Sequence, residues 1–217
     1  MIKHPSVSYI APFAAFLFFL AIRAYFPSEY FIRVIAVTAL LILLSRGVIS
    51  LKALRPLLSA LVGVAVFLIW IGPDFIWPAY RQHWLFHNNL IGAAQSSIPD
   101  AMRGNPWFLA VRVLGSVLLV PVIEELFWRG WLMRYAISPR FETIRLGTYS
   151  AFSFWITAVL FASEHGSFWE VGLVAGIIYN WWMLRTHSLG DCIAAHAVTN
   201  ACLAAYVIAA GQWQFWL

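Results

Sequence analysis

Charged residues are what this sequence has least of. They make up 11% of its 217 residues, whereas hydrophobic residues make up 62%, and a soluble domain carries about 25% charged residues. This shortage excludes an ordinary water-soluble domain, because so much apolar surface needs lipid around it. The chain has no linker, internal repeat or low-complexity tract, so we predict a single integral-membrane domain over residues 1–217.

Acidic residues are scarcer than basic ones: nine Asp and Glu stand against fourteen Lys and Arg, for a formal net charge of +5. No basic stripe or RNA-binding motif accompanies the excess, so nucleic acid is not expected as a partner. The basic residues lie between apolar runs, where they mark cytoplasmic loops. Because they follow the second, fourth and sixth runs, the N-terminus is predicted to be cytoplasmic.

Cysteine is nearly absent, since the chain has only Cys192 and Cys202. Ten residues of one predicted helix separate their Cα atoms by about 15 Å. A disulfide requires Cα atoms within about 7 Å, which excludes a bridge between them. Neither belongs to a C-x-x-C pair, so both are predicted to be packing thiols.

Long apolar runs are abundant, and a spanning helix needs about 20 mostly apolar residues. The candidate runs cover residues 7–26, 31–50, 57–77, 106–137, 147–165, 169–185 and 189–210. The sequence therefore predicts an all-α fold, a polytopic bundle of about seven transmembrane helices. The run at 106–137 is too long for one perpendicular span, so it should tilt or kink at Pro121. A break there, or an inward dip of residues 78–105, would give eight spans.

Residues 78–105 are too polar to span a membrane. We predict that they hold a short amphipathic helix in the interface, with Trp84, Leu85 and Phe86 facing lipid. The tryptophans of the tail GQWQFWL also suit an interface. The histidines in predicted loops, which should face solvent or the interface, are His4, His83, His87 and His187.

Three polar clusters lie inside the apolar runs, where charged side chains usually face the bundle interior. In the first, EELFWR, the adjacent Glu124 and Glu125 point about 100° apart on a helix, so they cannot share one role. Glu125 and Arg129 are four residues apart and can pair. This pairing leaves Glu124 to face a cavity as a general base. The alternative is an ion-pair cluster with a structural role only.

The other two clusters supply imidazoles and an amide. FASEH ends a span with Glu164 and His165; the histidine is either catalytic or a packing residue, and the glutamate should orient it or face headgroups. HAVTN places His196 and Asn200 on one helix face, where their hydrogen-bond donors could stabilise an oxyanion. The alternative is hydrogen bonding between helices, which is ordinary for these side chains.

Two familiar protease signatures are missing. No H-E-x-x-H zinc motif occurs, and no Ser, His and Asp set has the spacing of a serine protease. A carboxylate, two histidines and an amide nevertheless fall within apolar helices, which indicates a polar cavity at lipid depth.

Together and in this order, the clusters resemble the CPBP family, the CAAX-protease and bacteriocin-processing membrane proteins that include type II CAAX prenyl endopeptidases. The family motifs EExxxR, FxxxH and HxxxN are matched by EELFWR at 124–129, FASEH at 161–165 and HAVTN at 196–200. The resemblance covers about residues 106–210. The sequence departs from the family pattern at RTHSL, where His187 stands in place of the usual glycine. This difference affects the backbone conformation expected for the turn, and not the chemistry.

The resemblance implies a membrane-embedded endopeptidase. It assigns Glu124 to activating a water that His165 shares, and His196 and Asn200 to stabilising the oxyanion. The supporting residues are then Glu125 and Arg129.

Metal dependence is open at this point. We favour metal-free activation of water, because the motifs lack zincin spacing. The alternative is zinc held by Glu124, His165 and His196, with water in the fourth position.

A narrower resemblance covers nearly the whole chain. YIAPF, VPVIEELFWRGWLMRY and GQWQFW are similar to the CAAX prenyl protease-related proteins of bacteria with exosortase and PEP-CTERM sorting systems. This implies the bacterial inner membrane, with membrane lipids as neighbours and a protein or peptide substrate, lipid-modified or not.

Two other functions are compatible with the sequence. One is a non-catalytic membrane partner or immunity-like factor of a protein-sorting system, in which the polar motifs only join helices. The other is a small transporter with Glu124 as a proton relay, although the inverted repeats common in transporters are not found.

Overall fold

The structure is a computed structural model that describes residues 4–23, 25–26 and 29–216. Seven helices of twelve or more residues form the frame of this part. They are α1 (Val7–Ile22), α2 (Glu29–Leu40), α3 (Pro56–Ile76), α4 (Pro106–Tyr135), α5 (Ala151–Ser163), α6 (Trp169–Thr186) and α7 (Leu189–Ala210). The described residues contain no β-strand, so the predicted all-α fold is confirmed.

The outer surface of the helices is apolar. α3, α4 and α7 are long and apolar enough to cross a membrane, and α1 and α5 are shorter apolar helices. Large side chains such as Leu61, Leu118 and Phe152 are exposed on them. Such a surface is stable in lipid and not in water, so the fold is a helical membrane bundle.

The predicted spans differ from the helices mainly at their ends. α1 ends at Ile22 instead of 26, and α2 passes at Leu41 into a π-helical stretch that ends at Ser45. α5 begins at Ala151, four residues later than predicted. A span predicted from hydropathy continues through apolar residues of the following turn, whereas the helix itself ends where its backbone hydrogen bonds end.

α4 lies at the centre, where it contacts α1, α5 and α7. It stays continuous through Pro121, so the described residues give no extra span from a break in this helix. Two π-helical stretches, Gly115–Leu119 and Leu126–Leu132, flank its α-helical turn Val120–Glu125. Short π-helical stretches often occur at functional sites, and here they enclose the glutamate pair.

Small residues allow the helices to approach closely. α3 packs along α7, and a Cβ atom added at Gly63 would overlap the Ala195 carbonyl oxygen and lie 2.8 Å from Val198 Cβ. α5 and α6 meet in the same way, because a Cβ atom at Gly176 would lie 3.2 Å from Ala158. Close contact through glycine is a common way for membrane helices to associate.

A buried carboxylate fixes the start of α7 against the start of α3. Asp191 accepts hydrogen bonds from the backbone N–H groups of Leu54 (2.9 Å) and Arg55 (2.8 Å) and from the Ser59 hydroxyl (2.8 Å). Asp191 precedes His196 by five residues, so this contact sets the depth at which α7 presents His196.

The segment at 78–105 differs from its prediction. It holds only the 3₁₀ turns Tyr80–Gln82 and Asp100–Met102, and Phe86 is 6% exposed because its ring stacks on Tyr80 at 4.6 Å. The predicted amphipathic helix is therefore wrong, and so is the prediction that Phe86 faces lipid, whereas Trp84 and Leu85 are exposed as predicted.

One arginine ties this segment to the bundle. Arg81 forms ion pairs with Asp74 (2.9 Å) and Glu170 (2.6 Å) and donates to the Ser167 carbonyl (2.5 Å). The conformation of residues 78–105 therefore follows these polar contacts between separate elements, and not the local hydrophobic pattern from which a helix was predicted.

Candidate active site

The two adjacent glutamates of α4 lie in different surroundings. Glu125 is 0% exposed, and its Oε1 pairs with Nη1 of Arg129 at 3.0 Å. Glu124 is 7% exposed, and its buried Oε2 has no hydrogen-bond partner. The i, i+4 spacing predicted this pair, and among the described residues Glu124 has no such arginine partner.

Arg129 is held on all sides by protein groups. Its Nε donates to the Asn180 side-chain oxygen (3.0 Å) and its Nη2 to the Gly176 carbonyl (3.3 Å). Asn180 in turn donates to the Phe154 carbonyl (2.8 Å), and the Phe161 ring lies 4.6 Å from the guanidinium. Arg129 therefore links α4, α5 and α6. Sequence reasoning missed Asn180, for which the only signal was a lone amide within an apolar run.

His196 contacts both glutamates. Its Nδ1 lies 3.0 Å from Glu125 Oε1, and its Nε2 lies 4.0 Å from Glu124 Oε2. A proton on Nδ1, donated to Glu125, leaves Nε2 facing Glu124. Tyr179 stacks on the imidazole with ring centroids 5.2 Å apart, and its hydroxyl donates to Thr199 (2.7 Å). No pattern in the sequence indicated that Tyr179 stacks on His196.

His165 follows the last residue of α5. Its Nδ1 lies 2.7 Å from the Phe161 carbonyl oxygen, and because a carbonyl only accepts, Nδ1 carries the proton and Nε2 is left as an acceptor. A Cβ atom at Gly172 would lie 3.2 Å from this Nδ1, so glycine is needed there to make room for the ring. The edge of Trp70 packs on the other side, with ring centroids 5.1 Å apart.

The turn after α5 brings a second carboxylate to the same place. Glu164 accepts a hydrogen bond from the Trp128 indole (3.2 Å) and lines the same cavity as Glu124. Sequence reasoning expected it to orient His165 or face lipid headgroups. The 3₁₀ turn Gly166–Phe168, in which Gly166 has φ +52°, turns the chain back toward the bundle.

Asn200 lies one turn after His196 on α7. Its side-chain nitrogen donates to the Ser116 carbonyl (2.8 Å) in the first π-helical stretch of α4. A primary amide has two N–H groups, so this bond leaves the other available.

One cavity of about 740 Å³ joins these side chains. Its polar lining includes the predicted residues Glu124, His165, His196 and Asn200. The supporting pair, Glu125 and Arg129, lies behind the cavity wall. The predicted polar cavity is therefore present, and it gathers residues from three separate parts of the chain.

Possible metal ligands are not grouped among the described side chains. Within residues 4–23, 25–26 and 29–216, no three His, Cys, Asp or Glu side chains are grouped to hold a metal ion. The set named for zinc, Glu124, His165 and His196, lines one cavity, and its binding of a metal stays a prediction.

Comparison with known proteins supports the resemblance drawn from the motifs. A family model described as type II CAAX prenyl endopeptidase Rce1-like matches residues 106–202, from the start of α4 into α7. No curated protein and no solved structure matches the chain. The narrower resemblance to exosortase-associated proteins stays a prediction.

Proposed function

We propose that this protein is an intramembrane endopeptidase, resembling type II CAAX prenyl endopeptidases, in which Glu124 and His165 activate a water molecule. The observation that carries the proposal is the buried Glu124 Oε2, which has no hydrogen-bond partner and shares a cavity with His165, His196 and Asn200. The family match over residues 106–202 supports the same chemistry.

In the first step, water attacks the carbonyl carbon of the scissile peptide bond while Glu124 takes its proton. His165 is suited to hold that water, because the Phe161 carbonyl fixes the proton on Nδ1 and leaves Nε2 to accept. The products of this step are a tetrahedral oxyanion and a protonated Glu124.

The oxyanion requires hydrogen-bond donors, and two side chains of α7 can provide them. Asn200 has a second side-chain N–H beyond the one given to Ser116. His196 can present an Nε2–H when its ring is protonated, since Glu125 stabilises that charge from the Nδ1 side. Donors held in place within a dry cavity stabilise developing charge more than water does.

In the last step, the carbon–nitrogen bond breaks and Glu124 returns its proton to the leaving amine. A new carboxylic acid and a free amine are released, and Glu124 is again a carboxylate. No step of this mechanism requires a metal ion.

The decisive variant is Glu124→Gln, which keeps the shape of the side chain but cannot accept the proton. Membrane proteomes of cells with the wild type and the variant are compared for uncleaved precursors. We expect precursors to accumulate with Glu124→Gln and not with the control Glu142→Gln, which changes an exposed carboxylate in the turn between α4 and α5.

A fully active Glu124→Gln protein would end the proposal. A cellular phenotype restored by the double variant Glu124→Ala/His165→Ala would favour the non-catalytic partner instead. Stoichiometric zinc in the purified protein, with cleavage lost on chelation, would replace the metal-free mechanism.

The finer assignments belong to the same proposal. They are the bacterial inner membrane, a cytoplasmic N-terminus, a protein substrate with or without a lipid group, and association with an exosortase or PEP-CTERM sorting system. The basic residues after the second run and the YIAPF and GQWQFW motifs support them.

A further inference from the structure

The turn that carries His165 is held in place by contacts that the proposed mechanism does not use. This turn, residues 164–168, lies between the end of α5 and the start of α6. Arg81 reaches it from the segment at 78–105. That segment precedes residues 106–202, which match the family model, and it contains none of the motifs from which the site was predicted.

Two carboxylates fix the guanidinium of Arg81 beside the His165 turn. Arg81 is buried, its Nε pairs with Asp74 (2.9 Å) in the last turn of α3, and its Nη1 pairs with Glu170 (2.6 Å) in the first turn of α6. A guanidinium is a planar fork, so partners on two sides fix both its position and its orientation. The two helices therefore determine where this group lies.

The fixed guanidinium makes two contacts with the His165 turn. Its Nη1 donates to the Ser167 carbonyl (2.5 Å), and its central carbon lies 4.1 Å from the centroid of the buried Phe168 ring. A cation this close to an aromatic ring is attracted to the ring electrostatically. One contact therefore holds the backbone of the turn, and the other holds a side chain.

Phe168 connects this restraint to His165. The Phe168 ring stacks on Trp70 at an angle of 12°, with centroids 6.2 Å apart, and the edge of Trp70 packs on the imidazole of His165. The Phe168 N–H also donates to the His165 carbonyl (2.9 Å). The hydrogen bond from Nδ1 to the Phe161 carbonyl fixes one atom of the imidazole, so the direction of Nε2 depends on the packing around the ring.

We propose that Arg81 is a positioning residue for the reaction: it acts through Phe168 and Trp70 to direct Nε2 of His165 at the attacking water. This rests on the proposed function. A catalytic group has to be held within about 0.5 Å of its productive position by side chains that are themselves locked in place. The alternative is an arginine that only anchors the segment at 78–105 to the bundle.

The test begins with Arg81→Lys in the full chain in detergent. Lysine keeps the charge but replaces the planar fork with one ammonium group. The readout is the nitrogen NMR spectrum of the histidine side chains, in which His165→Gln identifies the signals of His165. We expect one tautomer in the wild type, with the proton on Nδ1, and exchange between both tautomers in Arg81→Lys. This measurement requires no substrate.

Arg134→Lys is the matched control. Arg134 is also buried, and its guanidinium also lies near aromatic rings, those of Tyr9 (5.5 Å) and Phe141 (5.1 Å). It also donates to a backbone carbonyl of a turn, that of Ile144 (3.3 Å), between α4 and α5. We expect this variant to lose a similar amount of thermal stability and to leave the His165 signals unchanged.

Phe168→Leu interrupts the same path without leaving a charge unpaired. It should also produce exchange between the His165 tautomers, and it decides the question if Arg81→Lys does not fold. Because both variants act through one path, the double variant Arg81→Lys/Phe168→Leu should differ little from either single variant. Fully additive effects would show two separate routes and would overturn the path through Phe168.

Cleavage provides the second readout, with a precursor that accumulates with Glu124→Gln as the probe. Misplacement of a catalytic group by ~1 Å can lower the rate ~100-fold, and we expect a smaller shift in Arg81→Lys to lower kcat about tenfold. KM should change little, because the lost interaction acts in the transition state. Arg134→Lys should keep both kcat and KM.

The outcomes separate the two proposals. Exchange between His165 tautomers in Arg81→Lys, with a wild-type chain that cleaves no precursor, would uphold the contact path from Arg81 to His165 and count against proteolysis. Unchanged His165 signals and unchanged kcat in Arg81→Lys would overturn the positioning role and leave proteolysis standing. Equal losses of kcat in Arg81→Lys and Arg134→Lys, with unchanged His165 signals, would show a structural anchor and would also overturn it.

Discussion

The part of the chain from α4 to α7 and the part before it contribute different side chains to one cavity. The first supplies the acid, the two imidazoles and the amide. The earlier part supplies apolar walls, such as Val66 and Trp70, and the arginines Arg23 and Arg33. In the proposed function, one part therefore carries the chemistry, and the other determines what the cavity admits. Variants in each part can break this division or define it more sharply.

The largest effect on stability should come from Arg129→Met. This change leaves Glu125 charged in a site with 0% exposure, and breaking a buried pair by removing one partner costs about 3–5 kcal/mol. Unfolding in a detergent titration measures the loss. The double variant Glu125→Gln/Arg129→Met should recover part of it, because no charge is then left unpaired. Unchanged stability of Arg129→Met would contradict the role of this pair.

The next effect should come from the contact between the two parts. Gly63→Ala places a methyl group against the Ala195 carbonyl and Val198 of α7, and overpacking of this kind costs about 1–3 kcal/mol. Gly72→Ala is the matched control on α3, because no atom lies within 4 Å of its added Cβ. Equal stability of the two variants would show that α3 can move away from α7 freely.

A smaller effect, on activity alone, is expected from Gly172→Ala. The added Cβ would lie 3.2 Å from His165 Nδ1, so the ring must shift by a few tenths of an ångström. Misplacement of a catalytic group by ~1 Å can lower the rate ~100-fold, and a shift of this size should lower kcat/KM about tenfold. Precursor cleavage measures the rate, and unchanged thermal unfolding would confirm that the fold is intact. Full activity would indicate that the position of His165 is not critical.

The smallest effect concerns the turn between α6 and α7. His187 is the non-glycine residue with positive φ (51°) among the described residues, and this conformation costs an L-residue about 1–2 kcal/mol. Its ring also bonds the Leu146 carbonyl (2.8 Å). His187→Gly relieves the strain but loses the bond, whereas His187→Ala only loses the bond. The glycine variant should therefore be more stable than the alanine variant by about 1 kcal/mol in thermal unfolding.

Local patterns predicted much of this molecule. The bounds of α7 agree with its apolar run, and the i, i+4 spacing gave the Glu125–Arg129 pair. At His187, which stands where the family usually has glycine, the turn keeps a positive φ of 51°. Each of these depends on residues within a few positions of one another.

Such local patterns could not predict contacts between distant parts of the chain. The stacking of Tyr179 on His196 and the bond from Arg129 to Asn180 join different helices. Three arginines from separate elements also line the cavity, namely Arg23, Arg33 and Arg112. Residues 78–105 follow the ion pairs of Arg81 instead of their own hydrophobic pattern. The catalytic roles of the motif residues stay predictions.

The widened turn at Gly115–Leu119 decides which faces of α4 point the same way. In a regular α-helix each residue turns about 100°, so positions 112 and 124 would point about 120° apart. A π turn takes up one extra residue, which reduces the difference to about 20°. A regular α-helix over the same twelve positions would therefore rotate Arg112 away from the cavity while Glu124 stayed in place. The five residues of this stretch thus bring a carboxylate and a guanidinium about three turns apart to the same side of α4, where both line the cavity.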